Sequence, residues 1–261
     1  MQCCEFCIII LFSTLTFAKN DDYILHQGSI RSDSKIVSGE VIDITNVPCQ
    51  VSVKHDQSHK CGGSILNKRF ILTAAHCLKL FQVKRTTVSA GSNNPYENET
   101  SFNAKAFYLH PLYETVDYDF GIIELSEDIL FNERQKSASL PQADEDIPDG
   151  TLLQASGWGQ TNNISESPYI LRGVKLPKID QVTCRLAYSK HTTSITDRML
   201  CAGYFEGGLD SCYGDSGGPL LSGNTIVGVT SWGISCGCPG YPGVYAKVSA
   251  VRQWIRDITG S

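Results

Sequence analysis

The chain has 261 residues, 41% of them hydrophobic, with a formal net charge of −5 and a pI near 5.7. That is enough apolar material for a substantial core, and the acidic balance lacks the basic face that nucleic-acid binding favours. No nucleic-acid partner is therefore expected, and the charge reads as an ordinary solvated surface.

Residues 7–18 form an apolar run too short to span a bilayer comfortably, ending in Thr16-Phe17-Ala18, a small-residue cleavage site. Residues 1–18 are read as a secretory signal peptide, although the stretch before the run carries Glu5 and no Lys or Arg. No later stretch is apolar enough for a membrane span, so a secreted, extracellular protein without a membrane partner is expected. Export implies oxidised cysteines. Of the 11 cysteines, Cys3, Cys4 and Cys7 leave with the leader, and the even number remaining suits a disulfide framework. No Cys/His cluster has zinc spacing, so no metal is expected.

Residues 19–35 are a short polar segment ending Arg31-Ser-Asp-Ser-Lys35, followed by Ile36-Val37-Ser38-Gly39. Strand-like runs then recur at 49–53, 63–66, 70–73, 121–125, 152–156, 225–231 and 243–247. They are short, rich in Val, Ile and Thr, and separated by Gly, Pro, Asn and Ser, which predicts an all-β fold. Val251, Trp254, Ile255 and Ile258 recur at helical spacing, so residues 250–258 are predicted as a short amphipathic helix. Asn98-Glu-Thr100 and Asn163-Ile-Ser165 are glycosylation sequons, or else plain polar loops.

Three motifs carry chemistry. Thr73-Ala-Ala-His76-Cys77 puts a histidine in a small-residue turn after an apolar run. Asp119 leads directly into the apolar run 120–125, whereas Asp117 is expected to be solvated. Gly214-Asp215-Ser216-Gly217-Gly218-Pro219 sets one serine between an acid and two glycines that let the backbone bend and approach a substrate. A serine hydroxyl is a poor nucleophile until a base and an oxyanion site assist it. His26, His55, His59, His110 and His191 lack such context and are expected to be ordinary.

In the order His, Asp, Ser, these residues resemble the trypsin/chymotrypsin-like serine proteases, and the chain is identified as a trypsin-like member over essentially all of residues 36–261. The resemblance implies an all-β fold of two packed six-stranded antiparallel β-barrels with a short C-terminal helix. It implies Ser216 as nucleophile, His76 as general base and then acid, Asp119 as the carboxylate that orients the imidazole, and the N–H groups of Gly214 and Ser216 as an oxyanion hole. It implies disulfides Cys61–Cys77, Cys184–Cys201 and Cys212–Cys236. Cys49 and Cys238 are left to pair with each other, stay free or bond elsewhere, and Cys236-Gly-Cys238 leaves open which of the two meets Cys212.

The junction Lys35/Ile36 resembles the family's activation site, which makes residues 19–35 an activation propeptide. The family's glycine is replaced by Ser38. The amine freed on Ile36 is expected to pair with Asp215 and order the oxyanion loop. Asp210, six residues before Ser216, matches the floor of the primary pocket, so cleavage after Lys or Arg is expected. Ser211 adds a hydroxyl, and Ser231-Trp232-Gly233 with Gly243 match the pocket walls. Tyr213 stands where glutamine is common, and the loop after Ile234 is unusual. The family's calcium loop is shortened between Gly91 and Phe102. Glu97 and Glu99 could bind a cation, but no calcium site and no cofactor are expected.

The expected protein is a secreted serine endopeptidase made as a zymogen, working as a monomer. Its expected partners are protein or peptide substrates with Lys or Arg at the cut, and proteinaceous protease inhibitors. Two alternatives stand beside it: a catalytically silent homologue acting as a binding or regulatory module, and an enzyme preferring aromatic residues, which Asp210 disfavours. Because the expected enzyme cuts after Lys, the junction at Lys35 also predicts self-propagating activation.

Overall fold

A computed structural model of the chain describes residues 39–161, 167 and 169–261. The leader, the Lys35/Ile36 junction and the Asn163 sequon lie outside the described residues. Thirteen strands follow in order: β1 Glu40–Val41, β2 Gln50–His55, β3 Ser58–Ile65, β4 Phe70–Thr73, β5 Thr86–Ala90, β6 Thr100–Leu109, β7 Gly121–Leu125, β8 Leu152–Gly157, β9 Arg172–Ile179, β10 Met199–Ala202, β11 Pro219–Ser222, β12 Thr225–Trp232 and β13 Gly243–Lys247. Three helices interrupt them: α1 Ala75–Lys79, α2 Gln181–Ala187 and α3 Arg252–Thr259.

Strands β2-β3-β4-β7-β6-β5 close into one antiparallel barrel. Strands β9-β10-β13-β12-β11-β8 close into a second through the β8–β9 pairing, with β1 added against the start of β9. Closure leaves few unpaired edges, which is how a chain of short strands satisfies its backbone. Val51, Val53, Ile71, Leu72, Ile122 and Ile123 of the first barrel belong to one buried apolar cluster, on both faces of its strands, and Leu153, Leu176, Leu220 and Tyr245 of the second to another. The first cluster runs on through Leu221, Val229 and Val248 to Ile255 of α3, so the C-terminal helix is packed into the same core.

The strands expected at 70–73, 121–125 and 243–247 are β4, β7 and β13 as read. The helix starts later than expected, at Arg252, because Val248–Val251 forms a tighter 3-10 turn first. It ends at Gly260, whose φ of 72° gives the left-handed cap that glycine tolerates. Several strands carried no readable apolar run. β9 holds Gly173 and Pro177, and β6 mixes Asn103 and Lys105 into its pattern. Their burial comes from partners distant in sequence, which override local propensity.

Three disulfides join Cys61 to Cys77, Cys184 to Cys201 and Cys212 to Cys236. Cys236 rather than Cys238 is therefore the partner of Cys212. Neither Cys49 nor Cys238, both buried, enters these three bonds. At the turn expected to bind no calcium, the buried Lys54 ammonium meets Glu99 at 2.6 Å and lies 4.9 Å from the Tyr96 ring centroid. Asn98 is exposed with φ 53°.

Candidate active site

His76 sits in α1 directly after β4, and Asp119 sits directly before β7, the strand paired with β4. That pairing brings two segments 43 residues apart side by side. His76 Nδ1 lies 2.7 Å from Asp119 Oδ2, and the His76 backbone N–H donates to Oδ1 at 2.8 Å. Asp119 is 1% exposed. Ser231 Oγ donates to the same Oδ2 at 2.6 Å. Ser231 reaches it because the β12–β13 register skips this residue: Thr230 pairs with Tyr245 and Trp232 with Val244. Such a bulge re-aims a side chain beside a site.

Ser216 comes from the segment between Cys212 and β11. Gly62 of β3 donates its N–H to the Ser216 carbonyl at 2.7 Å, and Gly217 donates to Thr230 at 2.8 Å. Gly217 has φ 81° and Gly214 φ 99°, backbone shapes that side chains other than glycine rarely adopt. The carbonyl of Tyr213 accepts from Gln160 at 2.7 Å, and that of Asp215 accepts from Gly218 at 2.9 Å. In a trans peptide the N–H opposes the carbonyl, so these two bonds set the direction of the Gly214 and Ser216 N–H groups.

Asp215 is 2% exposed and points away from this turn into a backbone cradle. Its oxygens accept from Gly159 N–H at 2.8 Å and Cys212 N–H at 2.9 Å. A Cβ on Gly157 or Gly159 would collide with its carboxylate, so both positions require glycine. Burial pushes the Asp215 pKa up to about 6 against those two donors.

Beside Ser216 opens a cavity of about 240 Å³ lined by Asp210, Ser211, Tyr213, Trp232, Gly233 and Gly243. Asp210 is 5% exposed and accepts from Ser211 N–H at 2.8 Å and Gly237 N–H at 3.1 Å. Burial pushes its pKa up to about 7, opposed by those donors. A Cβ on Gly233 would meet open space, whereas one on Gly243 would lie 2.6 Å from Asp210 Oδ1. Gly233 thus keeps the pocket wall low, but Gly243 makes room for the carboxylate itself. The Ser211 hydroxyl is 3.1 Å from the Tyr245 hydroxyl.

Two side chains have partners that the sequence did not indicate. His59 is structural, as a lone histidine is expected to be: its Nε2 lies 2.9 Å from the Gly214 carbonyl and its Nδ1 2.8 Å from Ser52 Oγ. Burial lowers its pKa to about 4, so the ring is neutral at pH 7, with Nε2–H donating to Gly214 and Nδ1 accepting from Ser52. Asp117 is not simply solvated: it forms an ion pair with Arg198. Gly214 and Arg198 lie far away in sequence, and only the packing of one barrel against the other brings them to His59 and Asp117. Cys61, His76 and Cys77 also group together, but both sulfurs belong to one disulfide and cannot serve as thiolate ligands.

Residues 36–255 match the family model described as Trypsin. The chain is 44% identical to Trypsin 5G1 of Aedes aegypti, over 89% of this chain and 88% of that protein. It is 39% identical to a trypsin of Simulium vittatum, over 91% of this chain and 98% of the relative. It is 38% identical to the vitellin-degrading protease of Bombyx mori, over 86% of each.

Proposed function

Because the chain belongs to the trypsin family of serine endopeptidases, we propose that it cuts peptide bonds after Lys or Arg, with Ser216, His76 and Asp119 as the catalytic residues. The observation that carries the specificity is Asp210, a buried carboxylate in the cavity beside Ser216. A cationic side chain entering that cavity supplies the counter-charge. A neutral one leaves the carboxylate buried without one, an expensive outcome.

The chemistry follows from the hydrogen bonds. The Asp119 carboxylate accepts a hydrogen bond from Nδ1–H, which keeps the proton on Nδ1 and leaves Nε2 of His76 as the basic nitrogen. Nε2 takes the Ser216 proton as Oγ bonds to the substrate carbonyl carbon. The tetrahedral oxyanion is held by the N–H groups of Gly214 and Ser216. His76 then hands its proton to the leaving amine, an acyl-enzyme remains, and water cleaves it by the same sequence. Ser231 donates to Asp119 Oδ2 and so helps hold that carboxylate in place against His76. His59 fixes the Gly214 carbonyl and so the peptide next to the oxyanion donors.

The precursor is a secreted zymogen. Asp215 is a buried carboxylate with two neutral N–H partners, and a cut after Lys35 supplies the amine of Ile36 as its counter-charge. Asn98, exposed in its turn, carries a glycan in this reading.

The test is hydrolysis of matched fluorogenic peptides ending in Arg, Lys or Phe by protein cut after Lys35, with Ser216→Ala as control. Cleavage after Arg and Lys alone, lost in the control, supports the proposal. No cleavage by protein with a sequenced Ile36 terminus transfers it to a silent binding module.

A further inference from the structure

Asp119 is preceded by a turn that a second-barrel arginine grips. Glu114 and Asp117 bond reciprocally through their backbones, and Phe120 N–H donates to the Tyr118 carbonyl at 2.7 Å. Tyr118, directly before Asp119, has φ 50°, and Thr115 has φ 53°. A bulky side chain in that left-handed region is held there by its surroundings rather than by preference.

Those surroundings come from the other barrel. Arg198, just before β10, donates through Nη2 to Asp117 Oδ2 and through Nε to Oδ1 at 3.2 Å. Thr196 Oγ1 donates to Oδ1 at 3.0 Å, and the N–H of Tyr118 to the same oxygen at 2.9 Å. Burial pushes the Asp117 carboxyl up, but Arg198, Thr196 and Tyr118 outweigh it and leave it below the usual range. The Arg198 guanidinium lies 5.0 Å from the Tyr118 ring centroid. The same ring stacks on buried His110 at 4.6 Å, and His110 meets Trp254 of α3 at 5.0 Å. Arg198 is itself anchored, since its carbonyl accepts from Lys247 of β13 at 2.8 Å.

We propose that Arg198 is a positioning residue for the reaction. From the second barrel it holds the Asp117–Tyr118 turn of the first, and so keeps Asp119 in register with His76 and Ser231. An isolated surface ion pair contributes little. This one is two-pronged, one-quarter to one-third exposed, and joined by a hydroxyl, a backbone N–H and an aromatic face. It also spans the two halves that must meet, because His76 and Asp119 come from one barrel and Ser216 and Ser231 from the other. The role rests on the triad assigned above.

The experiment compares Arg198→Met, Arg198→Lys, Asp117→Asn and the double variant Asp117→Asn/Arg198→Met, each cut after Lys35, with Asp119→Asn as reference. Small displacements of a catalytic group cost up to about a hundredfold, so kcat for Arg198→Met is expected to fall about tenfold with KM changed less than about twofold. Arg198→Lys recovers part of the loss. The double variant is no worse than the poorer single one, since either change opens the same clamp. The low-field proton resonance of His76 Nδ1–H shifts or broadens in Arg198→Met, which a loss of general stability alone does not produce in folded protein.

Unchanged kcat in folded Arg198→Met, a loss confined to KM, or multiplicative single effects overturns the role. If Arg198→Met is not recovered folded, Arg198→Lys decides: lower kcat with a shifted resonance supports the role, and parental kcat overturns it. If Asp119→Asn keeps full kcat, the triad reading fails. If Asp119→Asn is inactive while the Arg198 variants are unaffected, only the positioning role fails.

Discussion

Replacing Asp210 by Asn tests the pocket with almost no change of shape. Asp210 is 5% exposed; its Oδ1 accepts from Ser211 N–H and its Oδ2 from Gly237 N–H, so the amide oxygen of Asn keeps one of these bonds and the other is lost for every substrate alike. What disappears for basic substrates alone is the charge facing an incoming Lys or Arg. Removing one member of a buried ion pair costs about 3–5 kcal/mol. At about 1.4 kcal/mol per decade this predicts a fall in kcat/KM of roughly 10²–10⁴-fold for Arg and Lys peptides. A Phe peptide, which never used the charge, should be affected far less. The pH dependence gives an independent reading. Burial holds Asp210 up to about 7 before substrate binds, and only the ionised form attracts a cation. KM for an Arg peptide therefore rises as pH falls through about 7, and this rise is absent in Asp210→Asn. Steady-state kinetics on matched Arg, Lys and Phe peptides between pH 5 and about 9 supply both readouts. A loss below tenfold for Arg, or an equal loss for Phe, refutes the assignment of Asp210 to specificity.

Three further outcomes are expected. In the proposed activated enzyme, pairing with Asp215 raises the Ile36 amine above the ordinary range of about 7.7–8.0, so the active conformation is complete below that range and lost as pH rises through the raised value. Activity should fall reversibly in alkali while circular dichroism stays native; activity that persists until the protein melts contradicts the pairing. Ser231→Ala removes a hydrogen bond to the buried Asp119 carboxylate, and kcat should fall roughly tenfold or more at constant KM. A change confined to KM would make Ser231 a pocket wall alone. Lys54 supplies the positive charge at Glu99, so a chelator should leave the melting temperature unchanged. Lys54→Met should lower it by several degrees, from about 3 kcal/mol lost on breaking a mostly buried pair. A drop in melting temperature with chelator in the parent protein would show a bound cation instead.

The part of the site that was legible in sequence is the part with local context. His76 stands in a small-residue turn beside a cysteine, Asp119 before an apolar strand and Ser216 among glycines, whereas Asp210 was marked only by resemblance to the family. The strands β4, β7 and β13 were legible for a similar reason, as short uninterrupted apolar runs. His59 was not legible, because its partner Gly214 lies 155 residues away and only the packing of the two barrels joins them. Nothing local in the sequence marks Gly157 and Gly159, whose need for glycine comes from the Asp215 carboxylate packed against them. Ser231 was read as a wall, and the bulge that turns it to Asp119 depends on a partner strand. β9 was hidden by Gly173 and Pro177, which a strand tolerates here because neighbours on both sides hold it.

The central claim is that Ser216 is a nucleophile served by a basic-residue pocket. Its most direct test is covalent labelling of protein cut after Lys35 by two phosphonate esters, one bearing an arginine-like side chain and one a phenylalanine-like side chain, with the adduct mapped by mass spectrometry. The account predicts a single adduct on Ser216, formed much faster with the cationic reagent and absent in Ser216→Ala. An adduct on another residue, equal rates for the two reagents, or no adduct in protein with a confirmed Ile36 terminus would contradict it.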